Sequence, residues 1–71
     1  MTYRYEVTIF WSEENSAFIA VVPELPGCIA HGASYEEALM NARDEMEVWM
    51  DRAREQGDPI PKPKPHRLTL A

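Results

Sequence analysis

The odd-numbered positions Tyr3, Tyr5, Val7, Ile9 and Trp11 are apolar or aromatic, Arg4, Glu6 and Thr8 alternate with them, and only Phe10 breaks the pattern. A period of two sends successive side chains to opposite faces, so Tyr3 to Trp11 predicts a half-buried strand. The polar run Ser12-Glu13-Glu14-Asn15-Ser16 follows, and from Ala17 to Val22 every residue is apolar. Two such runs around a polar turn predict a β-hairpin. Pro23 and Pro26 lack backbone donors and end the second run, and Leu25-Pro26-Gly27-Cys28 places proline and glycine where a type II turn needs them. A third short strand is expected from Cys28 to Gly32. The turn before it reads equally as a plain connection and as a surface for recognition.

The period then changes. Ser34 followed three residues later by Glu37 has the form of a capping box, in which the serine hydroxyl accepts from the Glu37 N–H and the glutamate reaches back to the Ser34 N–H. Glu36 and Glu37 suit the positive start of a helix. Tyr35, Ala38, Leu39, Ala42, Met46, Trp49, Met50 and Ala53 recur at three- and four-residue steps, with Arg43, Asp44, Glu47, Asp51, Arg54 and Glu55 mostly opposite. Gly57 and Pro59 then stop the helix, which is expected over about 35–56. Pro59, Pro61, Pro63 and Pro65 favour extended polyproline II, and Arg67-Leu68-Thr69-Leu70 alternates again, enough for a short edge strand or a frayed end. The expected organisation is a β-β-β-α domain over 1–58 and a proline-rich tail over 59–71. The fold class is α+β: an antiparallel sheet of three to four strands with one long helix packed on one face.

At 71 residues and 45% apolar side chains, the chain has enough for one small core and none to spare. All twelve acids but only four of the seven bases lie in residues 1–61, so the body is acidic and the end basic. An acidic field repels phosphate backbones and favours a basic partner. No apolar run reaches membrane-spanning length, and the polar start lacks a signal-peptide pattern, which leaves a cytoplasmic chain as the expectation. With Cys28 as the single cysteine, no internal disulfide can form.

One helix covers one face of a sheet. In the second strand Ala17, Ile19 and Val21 point one way and Phe18, Ala20 and Val22 the other, and Phe10 is assigned to the second group. The expectation is that Phe10, Phe18, Ala20 and Val22 form the uncovered face and drive self-association into a homodimer or homotetramer. The competing reading is that the C-terminal tail folds over this surface.

The ordered set Val22-Pro23-Glu24-Leu25-Pro26-Gly27-Cys28, Gly32, Ser34-Tyr35-Glu36-Glu37-Ala38, Asn41-Ala42, and Gly57 with Ile60-Pro61 resembles the HicB-type antitoxin domain over about residues 3–63. The resemblance implies a partial ribonuclease H-like fold that assembles as dimers or tetramers. It also implies binding to a HicA-type toxin, a small basic ribonuclease, whose catalytic histidine the antitoxin occludes. Family members often carry a C-terminal DNA-binding domain. Only Lys64 to Ala71 follow the proline tract here, so direct DNA binding is not expected. For a toxin, the expected contacts are the turn Glu24, Leu25, Pro26 and Gly27 and the outer helix acids Asp44, Glu47 and Asp51. Each of these also has a plain structural reading as turn former or solvated surface.

Enzymatic chemistry finds little support in the sequence. Two-metal phosphodiester cleavage needs several converging carboxylates, and the predicted strands offer only Glu6. Cys28 and His31, three apart on a strand, face opposite sides, and His66 does not complete a metal set. Cys28 reads as a buried thiol rather than a nucleophile. No enzyme, cofactor or metal is expected. The sequence thus points to a protein-binding module that neutralises a HicA-type ribonuclease, or alternatively to an orphan oligomeric domain, structural or ligand-binding, with no toxin partner.

Overall fold

The computed structural model describes residues 4–64. Strands β1 (Thr8–Ser12), β2 (Ala17–Val21) and β3 (Ile29–Gly32) precede helix α1 (Tyr35–Gln56). The strands form an antiparallel sheet in the order β1-β2-β3, and the fold class is α+β as the periodicities predict. The strand anticipated from Tyr3 begins only at Thr8. Thr8 pairs with Val21, the last residue of β2, so residues before it have no ladder to join once Pro23 ends β2. Tyr5 and Val7 nevertheless pack on the core. Tyr3 and the strand expected at Arg67 to Leu70 lie outside the described residues.

The register settles which face is which. Trp11 pairs with Phe18 and Phe18 with Gly32, while Ile9 pairs with Ala20 and Ala20 with Ala30. Directly paired residues share a face. Ala20 and Ala30 form a buried cluster with Ala38 and Ala42 of α1. Such small side chains let the helix start lie close to the sheet. Towards the helix end the cluster is built from larger residues, Val22, Leu25, Cys28, Met46 and Met50. Among the described residues no polar or charged side chain is fully buried.

This arrangement corrects the assignment of the uncovered face. Phe18, Ala20 and Val22 face the helix, and Ala20 and Val22 are completely buried. Phe10 pairs with Ile19 and stands on the other side. The open face therefore carries Phe10, Ile19 and Val21 together with Ile29 and His31 of β3. Phe10 is 46% exposed and Ile29 55% exposed, so the open face presents large apolar side chains beside the polar Thr8 and His31, and its members differ from those expected.

Helix α1 has both of its predicted stops. The Ser34 hydroxyl accepts from the Glu37 N–H at 3.1 Å. The Glu37 carboxylate accepts from the N–H of Ala33 at 2.9 Å rather than from that of Ser34, so the return bond reaches one residue further back. At the other end Gly57 is left-handed, with φ 71°, and the Asp58 N–H donates to the Ala53 carbonyl at 2.8 Å. That is a Schellman cap, and it turns the chain away from the helix axis.

Candidate partner-binding site

The loop between β2 and β3 is two turns in succession. The Leu25 N–H donates to the Val22 carbonyl at 3.1 Å, and the Cys28 N–H to the Leu25 carbonyl at 3.0 Å. The Val22 N–H donates to the Cys28 carbonyl at 3.0 Å and closes the loop at its base. Pro23 and Pro26 each supply the fixed φ of the second turn position, and Gly27, at φ 79°, supplies the left-handed third position of a type II turn. Leu25 sits at the junction and is 1% exposed, in contact with the Met46 and Met50 cluster. It is therefore a core anchor and not, as the sequence suggested, a surface contact for a partner. Pro26 and Gly27 are exposed.

Two elements hold this loop from outside. The Trp49 indole N–H donates to the Pro26 carbonyl at 3.0 Å and ties the turn to the helix. The chain beyond Gly57 comes back to the body: the Tyr5 hydroxyl donates to the Pro61 carbonyl, and the Lys64 N–H donates to the Glu24 carboxylate at 3.1 Å. Between turn, helix end and tail lies an open groove of about 440 Å³, with Pro26, Trp49, Arg52, Gln56 and Pro59 among its lining residues. Sequence reasoning placed Trp49 on the buried stripe and missed its hydrogen bond; an indole at the edge of such a stripe was the available signal.

Asp44, Glu47 and Asp51 are all exposed on the side of α1 away from its buried residues. Asp51 forms an exposed ion pair with Arg54 at 3.3 Å. The structure thus keeps the acidic helix face apart from the turn, which lies on the sheet side of the helix. The turn and the acidic helix face named from the sequence are two separate surfaces.

Cys28 is buried at the loop's base, 2% exposed, and His31 is exposed on the open face. Burial pushes the Cys28 thiol up from its ordinary value near 9.0, and the Glu45 carboxylate adds to the rise. A thiol held protonated is a poor nucleophile. Among the described residues no three His, Cys, Asp or Glu side chains converge as metal ligands, and no helix is long and apolar enough to cross a membrane.

The family model for a HicB-like antitoxin of bacterial toxin-antitoxin systems matches residues 5–69. The chain belongs to the HicB-like antitoxin family. A UPF0150 protein of Thermoplasma acidophilum is 27% identical over 94% of this chain and 96% of its own length. A UPF0150 protein of Synechocystis is 30% identical over 84% of this chain and 75% of its own. A third, from Helicobacter pylori, is 40% identical over 54% of this chain and 53% of its own. No solved structure matches the chain. Membership of the HicB-like family suggests a toxin-antitoxin role, implies a toxin as partner and argues against an enzyme.

Proposed function

We propose that this HicB-like chain neutralises a small basic ribonuclease of the HicA type by binding over its active site. The family match over residues 5–69 carries the reading. Charge supports it: no lysine or arginine occurs from Tyr5 through Ala42, a span with six glutamates. Opposite fields speed encounter and exclude like-charged competitors. Glu24, Pro26 and Gly27, or the separate row Asp44, Glu47 and Asp51, would meet the toxin, and the domain of residues 1–58 would suffice for it.

The same chain would act as a homodimer or homotetramer joined through the open sheet face. At about 25 cal/mol per Å², covering a few hundred Å² of apolar surface there gives several kcal/mol of gross driving force. The chain would work in the cytoplasm.

The test is co-expression with any small basic protein encoded beside this chain. Copurification, with loss of the partner's RNA cleavage on mixing, supports the proposal. If no basic protein copurifies and no cleavage is suppressed, the chain is an orphan oligomeric domain instead. Sedimentation of Phe10→Glu against wild type reads the assembly separately: a smaller particle is expected, and an unchanged one removes the open face as the contact.

A further inference from the structure

We infer that the end of the molecule where the hairpin turn meets the helix start is a docking surface for arginine side chains of a protein partner. Three aromatic rings form a ladder there. Trp11 meets Phe18 edge to face, with ring centroids 5.1 Å apart and planes at 70°. Phe18 meets Tyr35, the first residue of α1, at 4.3 Å and 40°. The ladder lies on the helix-covered side of the sheet, yet its two ends are open: Trp11 is 49% exposed and Tyr35 55%. The cause is in the packing. The helix lies chiefly on β3 and least on β1, and it begins only at Tyr35, so β1's contribution to that face is left uncovered at this end.

Charge names the occupant. Glu13 and Glu14 continue from Trp11 into the hairpin turn, and Glu36 follows Tyr35. All three are exposed and take part in no ion pair among the described residues. Glu37 is already committed to the Ala33 N–H. The nearest arginine along α1 is Arg43, two helical turns beyond Tyr35. The surface thus combines aromatic faces, whose quadrupole attracts cations, with carboxylates that lack a counter-charge. A guanidinium suits both: it is planar and weakly hydrated, stacks on rings, and forks onto carboxylates. An ammonium is more strongly hydrated and forfeits the stacking. A nucleic acid is disfavoured by the same carboxylates.

This inference rests on the antitoxin reading only for the partner being basic. Its probe is a short peptide of alternating glycine and arginine, with lysine and citrulline counterparts, titrated into the labelled full chain and followed by NMR. The arginine peptide is expected to shift the Trp11 indole and the Phe18 and Tyr35 ring signals while leaving the Trp49 indole unmoved. The lysine peptide should bind more weakly and the neutral citrulline peptide not at all. Trp11→Ala and Tyr35→Ala should each weaken binding about five- to tenfold. The double variant Glu13→Lys, Glu14→Lys disturbs no packing and should abolish it. Equal binding of the citrulline peptide, shifts confined to the Asp44, Glu47 and Asp51 face, or an unchanged affinity in the folded lysine variant would each overturn the assignment. If the peptide binds at the ladder but no ribonuclease is neutralised, the antitoxin reading falls and this surface stands. If a ribonuclease is neutralised equally by wild type and by Trp11→Ala, the surface falls and the antitoxin reading stands.

Discussion

A Cβ placed on Gly32 would stand 2.5 Å from the backbone nitrogen of Ala38, with two atoms of Glu37 also inside 3.0 Å. Strand β3 and the first turn of α1 are therefore in backbone contact, and the atoms opposing a side chain cannot swing aside. Gly32→Ala is expected to cost about 2–3 kcal/mol by overpacking. Gly27 supplies the contrast: nothing lies within 4 Å of a Cβ there, and only its φ of 79° resists substitution. Gly27→Ala should cost about 1–2 kcal/mol. Urea midpoints of the two variants check this, and equal losses would show that Gly32 relaxes where the packing says it cannot.

Those two glycines also mark how far the sequence could be read. Gly27 follows a proline in a turn pattern, and its left-handed conformation is legible from that neighbour alone. Gly32 sits in an ordinary strand, and its role depends on a helix residue it touches through space. The helix limits at Ser34 and Gly57 were legible because capping is local chemistry. The sheet faces were legible only up to a parity. Whether Phe10 sits with Phe18 or with Ile19 depends on how many residues the hairpin turn absorbs, and a shift of one flips every side chain. Leu25 was misread for a related reason: a leucine in a proline-rich turn reads as exposed until the turn is folded onto Met46 and Met50. The Trp11, Phe18 and Tyr35 ladder joins three elements and has no signature in any one of them.

The Cys28 thiol gives a prediction in pH. Its pKa is raised in the folded chain, by burial first and by the Glu45 carboxylate second. An acid with a raised folded pKa favours its protonated form in the fold. Its stabilising contribution is complete below the unfolded value near 9.0 and is lost as pH rises through the folded value. Wild-type stability should therefore fall above about pH 9, and Cys28→Ala should show a shallower fall, as read by unfolding midpoints across that range. At neutral pH a disulfide reagent should label the thiol far more slowly in buffer than in urea.

Trp49 is expected to act on the turn rather than on the whole fold. Trp49→Phe keeps most of the ring and removes the donor to the Pro26 carbonyl. The carbonyl is exposed enough for water to replace the indole, so the loss should be about 0.5–1 kcal/mol. Hydrogen exchange localises the effect: the Gly27 and Cys28 amides should exchange faster, and the Ala38 amide, bonded to the Ser34 carbonyl at the far end of the helix, should not change. A uniform rise across the chain would mean that the indole supports the core directly.

Ser16 ends the hairpin turn with φ 49°, the one left-handed residue other than glycine among those described. Its N–H closes the turn on the Glu13 carbonyl at 3.3 Å, so the conformation is set by the turn and not by the side chain, which is exposed. A Cβ in this region costs about 1–2 kcal/mol, and glycine avoids that cost while losing more backbone freedom on folding. Ser16→Gly should therefore stabilise by up to about 1 kcal/mol, and asparagine should fall between the two. Ser16→Val should destabilise, because a branched Cβ tolerates a positive φ least. The ordering glycine, asparagine, serine, valine in thermal midpoint is the check. A valine variant as stable as serine would mean that the turn relaxes to another form, and with it the register that puts Phe10 opposite Ile19.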